Sequence, residues 1–457
     1  MSTVPFSTET DLKQFVTDVV TKATRGGATD AEAVYAEGDE FSTLVRLGQV
    51  ETLKEAGSRA LGVRVFIGDR SAVTSTSDLS ADGIEHLVSG ALALARVTSE
   101  DPFAGLPDRD EFGAVPGDLD LYHEDVYSLA PEERIEMARR AEAAAMAADT
   151  RIQNSGGGTF TAATGHKVMA NSRGFVGEYR RSYCGISSRP IAQDASGAMQ
   201  RDDWYSSARS VKLLDSPEAV GLEAARRALR RLGARKVATQ RVPVVFDQEM
   251  AASLIGEMFS AANGDAVYRG GTFFAGKLGE QVGGANITLI DDGTRPGGFG
   301  TAPFDGEGLP MRCKPVIDNG VLANYLLNTY TARKLNLRST GNASRGLAGT
   351  PGIGAGNVYL KPGTQTAEEI IGSVKNGLYL TELMGHGGNP VTGDYSQGAS
   401  GIWIENGELA YPVEEITIAG NLKEMFRNIV AIGNDLEWRS SVVSPTLLVE
   451  GMTIAGS

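Results

Sequence analysis

The chain has few of the side chains that hold transition metals in proteins. Its 457 residues include only four histidines and two cysteines. No two of them lie close in sequence: His86, His123, His166, His386, Cys184 and Cys313. A structural zinc site normally shows paired Cys or His at short spacing, and none of C-x-x-C, H-x-x-x-H or H-E-x-x-H occurs. We therefore expect no metal bound by a local motif, while a site assembled from distant residues stays open.

Long apolar runs are also missing. The first residues, MSTVPFSTETDLKQF, contain no cationic start followed by an apolar stretch, and no run approaches the roughly 18 apolar residues of a membrane span. We expect a cytoplasmic protein without a membrane partner. Two distant cysteines fit a reducing compartment, where we expect both to be buried and unbridged.

Positive charge is in the minority, since the formal net charge is −14. This balance argues against general affinity for nucleic acids, which requires a concentrated basic surface. One basic segment, residues 226–241, stands out, but it has no interleaved aromatic residues for base stacking. We interpret its arginines as the solvated face of a helix that buries Leu222, Ala225, Leu229 and Leu232. Direct nucleic-acid binding is therefore not expected.

Phosphate-binding and serine-hydrolase motifs are incomplete. Residues 271–278 nearly fit G-x-x-x-x-G-K-[ST], but Leu278 replaces the hydroxyl that would hold magnesium. The glycines of residues 352–356 have the wrong spacing for a dinucleotide fingerprint. No G-x-S-x-G nucleophile elbow appears. Neither a nucleotide site nor a serine hydrolase is supported.

Hydrophobic periodicity predicts the helices of the N-terminal half. Apolar residues at helical spacing predict helices from Leu12 to the Gly26-Gly27 pair, over 80–97, and from Pro131 to about Ala148. Ser216-Pro217 opens the arginine-rich helix. Short antiparallel strands are predicted over 32–76, and further strands over 152–210. The acidic stretch 101–126, which contains three prolines, predicts a linker.

The last region begins at a strand over 242–246 and is rich in glycine, of which the chain has 57. Glycine at this density indicates many tight turns between strands. We predict an α+β protein, with helix-plus-antiparallel-sheet N-terminal lobes and a β-rich, glycine-rich C-terminal domain. The predicted boundaries are 1–110, 111–240 and 241–457.

A polar, glycine-punctuated segment over 381–396 is the most conspicuous candidate site in the last region. Binding residues often lie on loops held by a rigid scaffold, but the same polar side chains can simply complete turn hydrogen bonds. Both interpretations stay open. The candidate residues of this substrate or dimer loop are Glu382, His386, Asn389, Thr392, Asp394 and Tyr395.

A long series of segments, in order along the chain, resembles the TldD/PmbA family and in particular its PmbA branch, also called TldE. The N-terminal matches are VRLGQVE at 45–51, GVRV at 62–65, DPFAGLP at 101–107 and MQRD at 199–202. The strongest matches are NPVTGDYS at 389–396, WIENG at 403–407, YPV at 411–413 and IAGNL at 418–422.

This resemblance implies a cytosolic metallopeptidase assembled as a dimer, whose TldD-type chain carries H-E-x-x-x-H on a helix and a cysteine near its C-terminus. The equivalent helix here covers 254–265. Gly256 and Ala261 stand at the histidine positions, Glu257 matches the glutamate, and no cysteine follows Cys313. The glycine costs a helix about 1 kcal/mol relative to alanine, so we expect close packing at 256.

The resemblance thus implies a chain without zinc that completes a cavity for unfolded peptides, with zinc on a TldD-like protein partner. Glu257 is its one candidate catalytic residue. Two alternatives remain: a homodimeric peptide-binding or regulatory protein without peptidase activity, and a regulator associated with nucleic acid.

Overall fold

The computed structural model describes residues 11–115, 117–385 and 387–456. Its helices are α1 (Leu12–Arg25), α2 (Ala81–Ala95), α3 (Asp125–Ser128), α4 (Pro131–Ala147), α5 (Pro217–Leu229), α6 (Gln248–Ala261), α7 (Gly264–Tyr268), α8 (Thr329–Lys334), α9 (Ala367–Gly372) and α10 (Leu422–Met425). Its strands in the N-terminal half are β1 (Asp30–Arg46), β2 (Gln49–Ile67), β3 (Arg70–Thr76), β4 (Ile152–Asn171), β5 (Val176–Gln193), β6 (Met199–Arg201) and β7 (Trp204–Ala208).

The strands of the C-terminal half are shorter on average. They are β8 (Gln240–Phe246), β9 (Leu289–Asp292), β10 (Cys313–Asp318), β11 (Val321–Leu322), β12 (Ala343–Ser344), β13 (Gly352–Ile353), β14 (Asn357–Leu360), β15 (Asn376–Met384), β16 (Asp394–Glu405), β17 (Glu408–Asn421), β18 (Ile429–Ile432), β19 (Val442–Val443) and β20 (Leu447–Ala455). The mixture of helices and largely antiparallel sheets confirms the α+β prediction.

One large sheet organises the N-terminal half, with the strand order β3-β2-β1-β4-β5-β6 and β7 paired to β5. Helices α1 and α2 bury Val16, Val20 and Leu92 against one part of it. Helix α4 lies over another part, in a core with Phe41 and Phe160. Because strands from both predicted N-terminal lobes pair in this sheet, the lobes are joined by backbone hydrogen bonds. The division into three domains stays a prediction.

The predicted short strands over 32–76 were wrong in length. Strand β1 runs unbroken for 17 residues through the polar stretch 37–40, where the sequence indicates a break. It pairs with β2 and with β4 over most of that length. Backbone pairing on both sides continues the strand without a buried side chain at every second position.

Five strands of the C-terminal half form a closed ring. The order β17-β16-β15-β8-β20 is closed by pairing between β17 and β20. A second sheet has the order β11-β10-β9-β14-β19. Helix α6 buries Leu254, Ile255 and Met258 in a core to which both sheets contribute. This core fixes the rotation of α6 and therefore which of its residues face outward.

The arginine-rich segment joins the two halves, so its interpretation as a solvated face was wrong for several members. The side chain of Arg227 is 8% exposed and pairs with Asp202 and Glu249, and Arg227 lies over the Trp204 ring. Arg226, by contrast, is 61% exposed. Leu222, predicted to be buried, is 52% exposed, because the buried face of α5 is lined by smaller residues such as Ala224 and Ala228.

Two further predictions concern the cysteines and the membrane. Neither cysteine forms a disulfide: Cys184 is buried as predicted, but Cys313 is exposed, because it begins strand β10 at the surface of its sheet. No helix among the described residues is long and apolar enough to cross a membrane.

Candidate functional site

Helix α6 follows β8 directly and carries Glu257. Asp247 caps the helix, because its side chain accepts a hydrogen bond from the Met250 N–H at 2.9 Å, as expected of an acid at an N-cap. With Leu254, Ile255 and Met258 turned into the core, Gly256 and Glu257 are only half-buried. The sequence pattern of α6 thus presents Glu257 on its more open side.

The two positions that match the metal-binding histidines supply no metal ligand. A Cβ built on Gly256 would meet no atom within 4 Å, so the expected close packing there was wrong and there is room for a side chain. Ala261 is 2% exposed, and its carbonyl accepts a hydrogen bond from Thr272 Oγ1 at 2.8 Å. Glycine and alanine side chains have no donor atom for zinc, which takes N, S and carboxylate O ligands.

Within residues 11–115, 117–385 and 387–456, no other residues replace the two missing histidine ligands. No group of three or more His, Cys, Asp or Glu residues in that part of the chain could hold a metal ion. Glu257 stands beside Gly388, Leu422 and Tyr395, and none of these offers an N or S ligand. The described surroundings of Glu257 therefore do not fit zinc.

Glu257 instead meets the loop between β15 and β16. An ideal Cβ on Gly388 would lie 2.8 Å from Glu257 Oε2, so the loop backbone passes very close to the carboxylate. Burial raises the pKa of Glu257 above its ordinary value, and a hydrogen bond from the Gly388 N–H opposes this effect. A partly desolvated carboxyl of this kind is better suited to proton transfer near neutral pH than an exposed one.

Tyr395 lies at the same contact, where it forms a β-bridge with Gly388. It is 2% exposed, and its Oη is buried without a hydrogen-bond partner in the described structure. Burial, and then the charge of Glu257, raise the pKa of its hydroxyl. The structure thus brings together Glu257 and Tyr395, two candidates that the sequence suggested independently.

The loop itself is shorter than the predicted segment 381–396, because β15 extends to Met384 and β16 begins at Asp394. Its polar side chains close a turn. Asn389 Oδ1 accepts hydrogen bonds from the Val391 and Thr392 N–H groups at 2.9 and 3.1 Å. Thr392 Oγ1 donates to Asp394 Oδ2 at 2.8 Å. These contacts favour the turn interpretation for Asn389, Thr392 and Asp394.

The remaining two candidates lie elsewhere. Glu382 belongs to β15 and pairs with Arg231 at 2.5 Å, so it helps to hold the end of α5 against the C-terminal half. His386 lies outside the described residues.

Sequence reasoning missed a cleft between the large sheet and the C-terminal half. It consists of two chambers of about 670 and 520 Å³. The chambers meet at shared lining residues that include Gly165, Arg181, Phe299 and Leu347. Its walls come from strands β1, β4 and β5 and from loops near 299–306, 343–347 and 439–441. No local motif could have indicated it, since these segments are far apart in sequence.

Two buried acids next to this cleft were also missed. Burial raises the pKa of Asp305 and of Glu307, and their mutual repulsion contributes at Glu307. The Asp305 carboxylate accepts hydrogen bonds from the backbone N–H groups of Glu307, Leu309 and Ala343. The Asp-Gly-Glu-Gly sequence at 305–308 was the one local pattern that could have drawn attention to these two acids.

Three family models cover most of the chain. The PmbA/TldA metallopeptidase domain 1 matches residues 31–95, the central domain matches 124–232, and the C-terminal domain matches 239–456. The chain belongs to the PmbA/TldA metallopeptidase family. This membership confirms the family resemblance seen in the sequence.

Relatives of this family member are similar over nearly their whole length. The Metalloprotease PmbA of Escherichia coli O157:H7 is 41% identical over 94% of this chain and 93% of its own. The Metalloprotease PmbA homolog of Haemophilus influenzae is 36% identical over 98% and 97%.

Solved structures agree with the fold. A protein of Bacteroides thetaiotaomicron described as a putative modulator of DNA gyrase has a TM-score of 0.90 at 27% identity, covering 97% of this chain and 99% of its own. TldE from Thermococcus kodakarensis has a TM-score of 0.87 at 20% identity, covering 96% and 99%. At that identity the second likeness concerns the fold alone.

Proposed function

We propose that this PmbA/TldA family chain is the zinc-free subunit of a two-subunit peptidase, and that a TldD-like protein carrying zinc is its partner. The observation that carries the proposal is α6, where Glu257 is retained while Gly256 and Ala261 supply no metal ligand. The names of the relatives support peptidase chemistry for the family. The described residues around Glu257 offer no replacement ligands, which supports a partner that provides the metal.

The substrates we propose are unfolded peptides. Residues 49–58 of β2 are exposed throughout and pair only with β1 among the described strands, because β3 covers β2 from Leu61 onward. A free strand edge can add another extended chain through backbone hydrogen bonds, which are largely blind to side chains. This edge supports either an extended substrate or a strand of the partner as its occupant.

The test is a reconstitution with an unstructured reporter peptide. This chain, a TldD-like partner with zinc, and their mixture are assayed side by side. We expect cleavage in the mixture well above that of the partner alone, and none by this chain alone. Cleavage by this chain alone that a chelator abolishes would overturn the proposal, since it would require a metal site on this chain.

A matched variant separates a structural role of Glu257 from a chemical one. Glu257→Gln keeps the shape of the side chain and removes its charge. If the chain only completes the cavity, the mixture keeps its cleavage rate within about twofold; a loss of two orders of magnitude is typical of a missing general acid or base. Glu368→Gln, on the exposed face of α9, is the control.

A further inference from the structure

Three cationic side chains line the cleft between the large sheet and the C-terminal half without an ion-pair partner among the described residues. Lys167 lines one chamber, Arg209 the other, and Arg181 both. None of the three forms an ion pair with another described residue, although the chain as a whole carries a net charge of −14. A cationic cluster in a strongly acidic protein requires a physical reason.

The sheet places these side chains together. In the β4–β5 pairing Gly165 stands opposite Arg181 and Lys167 opposite Tyr179, so Lys167 and Arg181 are diagonal neighbours on one face, at about 7–8 Å between backbone positions. Arg209 directly follows β7, which pairs with β5. It donates to the carbonyls of Ser182, Gly298 and Phe299 at 2.7–3.1 Å.

The acids nearest to these cations are held by other groups. Glu37 bonds to Tyr35 Oη at 2.8 Å and to His166 Nδ1 at 3.3 Å. Glu32 pairs with Arg64 and Arg345. Asp305 accepts three backbone N–H groups, and Asp120 pairs with His123 at 3.2 Å. None of these acids forms an ion pair with Lys167, Arg181 or Arg209, although the charges of Asp305 and Glu32 partly stabilise protonated Lys167.

Leaving Arg209 and Lys167 unpaired is costly, whereas Arg181 is exposed at the cleft surface. Arg209 is 4% exposed, and burial, followed by the charge of Arg181, lowers its pKa to about 10. Burial, followed by the charge of Arg345, lowers the pKa of Lys167 to about 8. Buried charges are normally paired, because desolvation without a partner destabilises the folded state. An anion in the cleft would remove this cost.

The walls beside the cations indicate what else the anion carries. Phe299 and Leu347 line both chambers, together with Ala36. Apolar surface next to a guanidinium group suits a ligand with a carbon skeleton, and the chamber volumes are those of ordinary small-molecule sites. The planar fork of an arginine matches a carboxylate in two parallel hydrogen bonds.

We propose that this cleft binds an organic carboxylate, with Arg181 and Lys167 holding the carboxylate group and Phe299 and Leu347 covering the carbon chain. Arg209, which lines the same chamber as Arg181, adds positive charge. The carboxylate comes either from a small organic acid or from the free C-terminus of a peptide. Carboxylate binding in this cleft does not require peptide cleavage, so the two can be tested independently.

Calorimetric titration of the full chain at pH 7 and low ionic strength tests the site. The probes are glutarate, penta-alanine with a free C-terminus, penta-alanine amide and inorganic phosphate. We expect glutarate or the free peptide to bind. Binding of glutarate assigns a small acid, and binding of the free peptide but not its amide assigns a peptide terminus. Failure of both, or equal binding of inorganic phosphate, overturns the proposal.

Variants locate the binding. Arg181→Ala should weaken it at least tenfold, and so should Lys167→Gln. Arg189→Ala is the matched control, since Arg189 lies on the same strand but pairs with Asp203; it should change affinity less than twofold. Arg181 is exposed and has no hydrogen bond among the described residues that its loss would break, so thermal unfolding of R181A should match that of the wild type. Unchanged affinity in folded R181A would overturn the proposal.

Discussion

The carboxylate of Glu257 and the backbone of Gly388 are in direct contact, with the N–H of Gly388 directed at the carboxylate. A Cβ on Gly388 would lie 2.8 Å from Glu257 Oε2 and 3.0 Å from Leu422 Cδ1. A side chain at residue 388 would therefore have to displace the ends of the Glu257 and Leu422 side chains. This contact fixes the position of the one candidate catalytic residue.

Gly388→Ala should lower the free energy of unfolding by about 1 kcal/mol, at the lower end of the cost of an added methyl group, because the atoms it meets are the ends of flexible side chains. Denaturant titration measures the change. Gly372→Ala is the control, because a Cβ there meets no atom within 4 Å; it should leave stability unchanged or slightly raised. Equal stability of G388A and the wild type would show that the loop moves away from Glu257 without cost.

Tyr395→Phe should leave the free energy of unfolding within about 0.5 kcal/mol of the wild type or raise it, because the hydroxyl it removes is buried without a protein partner and such groups cost desolvation energy. Tyr325→Phe is the comparison. Tyr325 Oη donates to the Phe274 carbonyl at 2.9 Å and accepts the Lys277 N–H at 3.1 Å, so its loss should cost about 1–3 kcal/mol. A similar cost for Y395F would indicate a bound water at Oη.

Arg227→Ala should lower the free energy of unfolding by about 1–3 kcal/mol, since it removes the partner of the partly buried Glu249 and leaves Asp202 paired with Arg230 alone, at 3.8 Å. Arg226→Ala, on the same helix, should change the free energy of unfolding by no more than about 0.5 kcal/mol, because Arg226 is mostly exposed and exposed ion pairs contribute little. We expect no binding of duplex DNA by the wild type or by either variant. Steep salt-dependent DNA binding that R226A reduces would revive the nucleic-acid alternative.

Glu307→Gln should flatten the dependence of stability on pH. Burial, followed by repulsion from Asp305, raises the pKa of Glu307 in the folded protein above the ordinary 4.5, so the folded state holds this proton more tightly than the unfolded state. Its contribution to stability is then full below the unfolded pKa and is lost as pH rises through the folded pKa. A difference of one between the folded and unfolded pKa values corresponds to about 1.4 kcal/mol of stability.

Thermal unfolding between pH 5 and pH 8 measures this effect as the difference between the wild type and E307Q. The amide oxygen can still accept the Thr329 N–H that Glu307 accepts at 2.8 Å. E307Q should therefore gain stability relative to the wild type as pH rises. A constant difference across this range would contradict the raised pKa.

Carboxylate binding in the cleft should weaken as pH rises through about 8, where the free protein loses the Lys167 proton. Burial lowers this pKa most; the charges of Arg345 and Arg181 lower it further, and those of Asp305 and Glu32 raise it. The protonated amine binds the anion, so affinity is highest below the pKa. Calorimetry of Lys167→Gln should show weaker binding whose affinity does not fall further between pH 7 and 9. If the affinity of the variant still falls over this range, the pH dependence belongs to a group other than Lys167.

Local signals predicted the helices well. Ser216 and Pro217 mark the start of α5, and the structure shows Ser216 accepting the Ala219 N–H as its N-cap. The start of α4 at Pro131 follows from the same preference for proline in the first turn. These features depend on residues a few positions apart, which a sequence displays directly.

Contacts between distant segments could not be predicted in the same way. The sequence suggested Glu257 and Tyr395 separately, but their proximity depends on how β15 and β16 pair beside β8. Lys167, Arg181 and Arg209 lie in different segments of the sequence, and only the register of β4, β5 and β7 brings them together. The polar stretch within β1 misled because neighbouring strands supply its hydrogen bonds on both sides.

The closed ring of strands in the C-terminal half also bears on how the chain is made. Strand β20 pairs with both β8 and β17, and about two hundred residues separate it from β8. The ring cannot close until residue 455 has left the ribosome. During most of the synthesis of this half, the edge of β8 that later pairs with β20 therefore has no partner strand. Such long-range pairing makes folding slow, and nascent chains of this protein should need protection from aggregation until the last strand is in place.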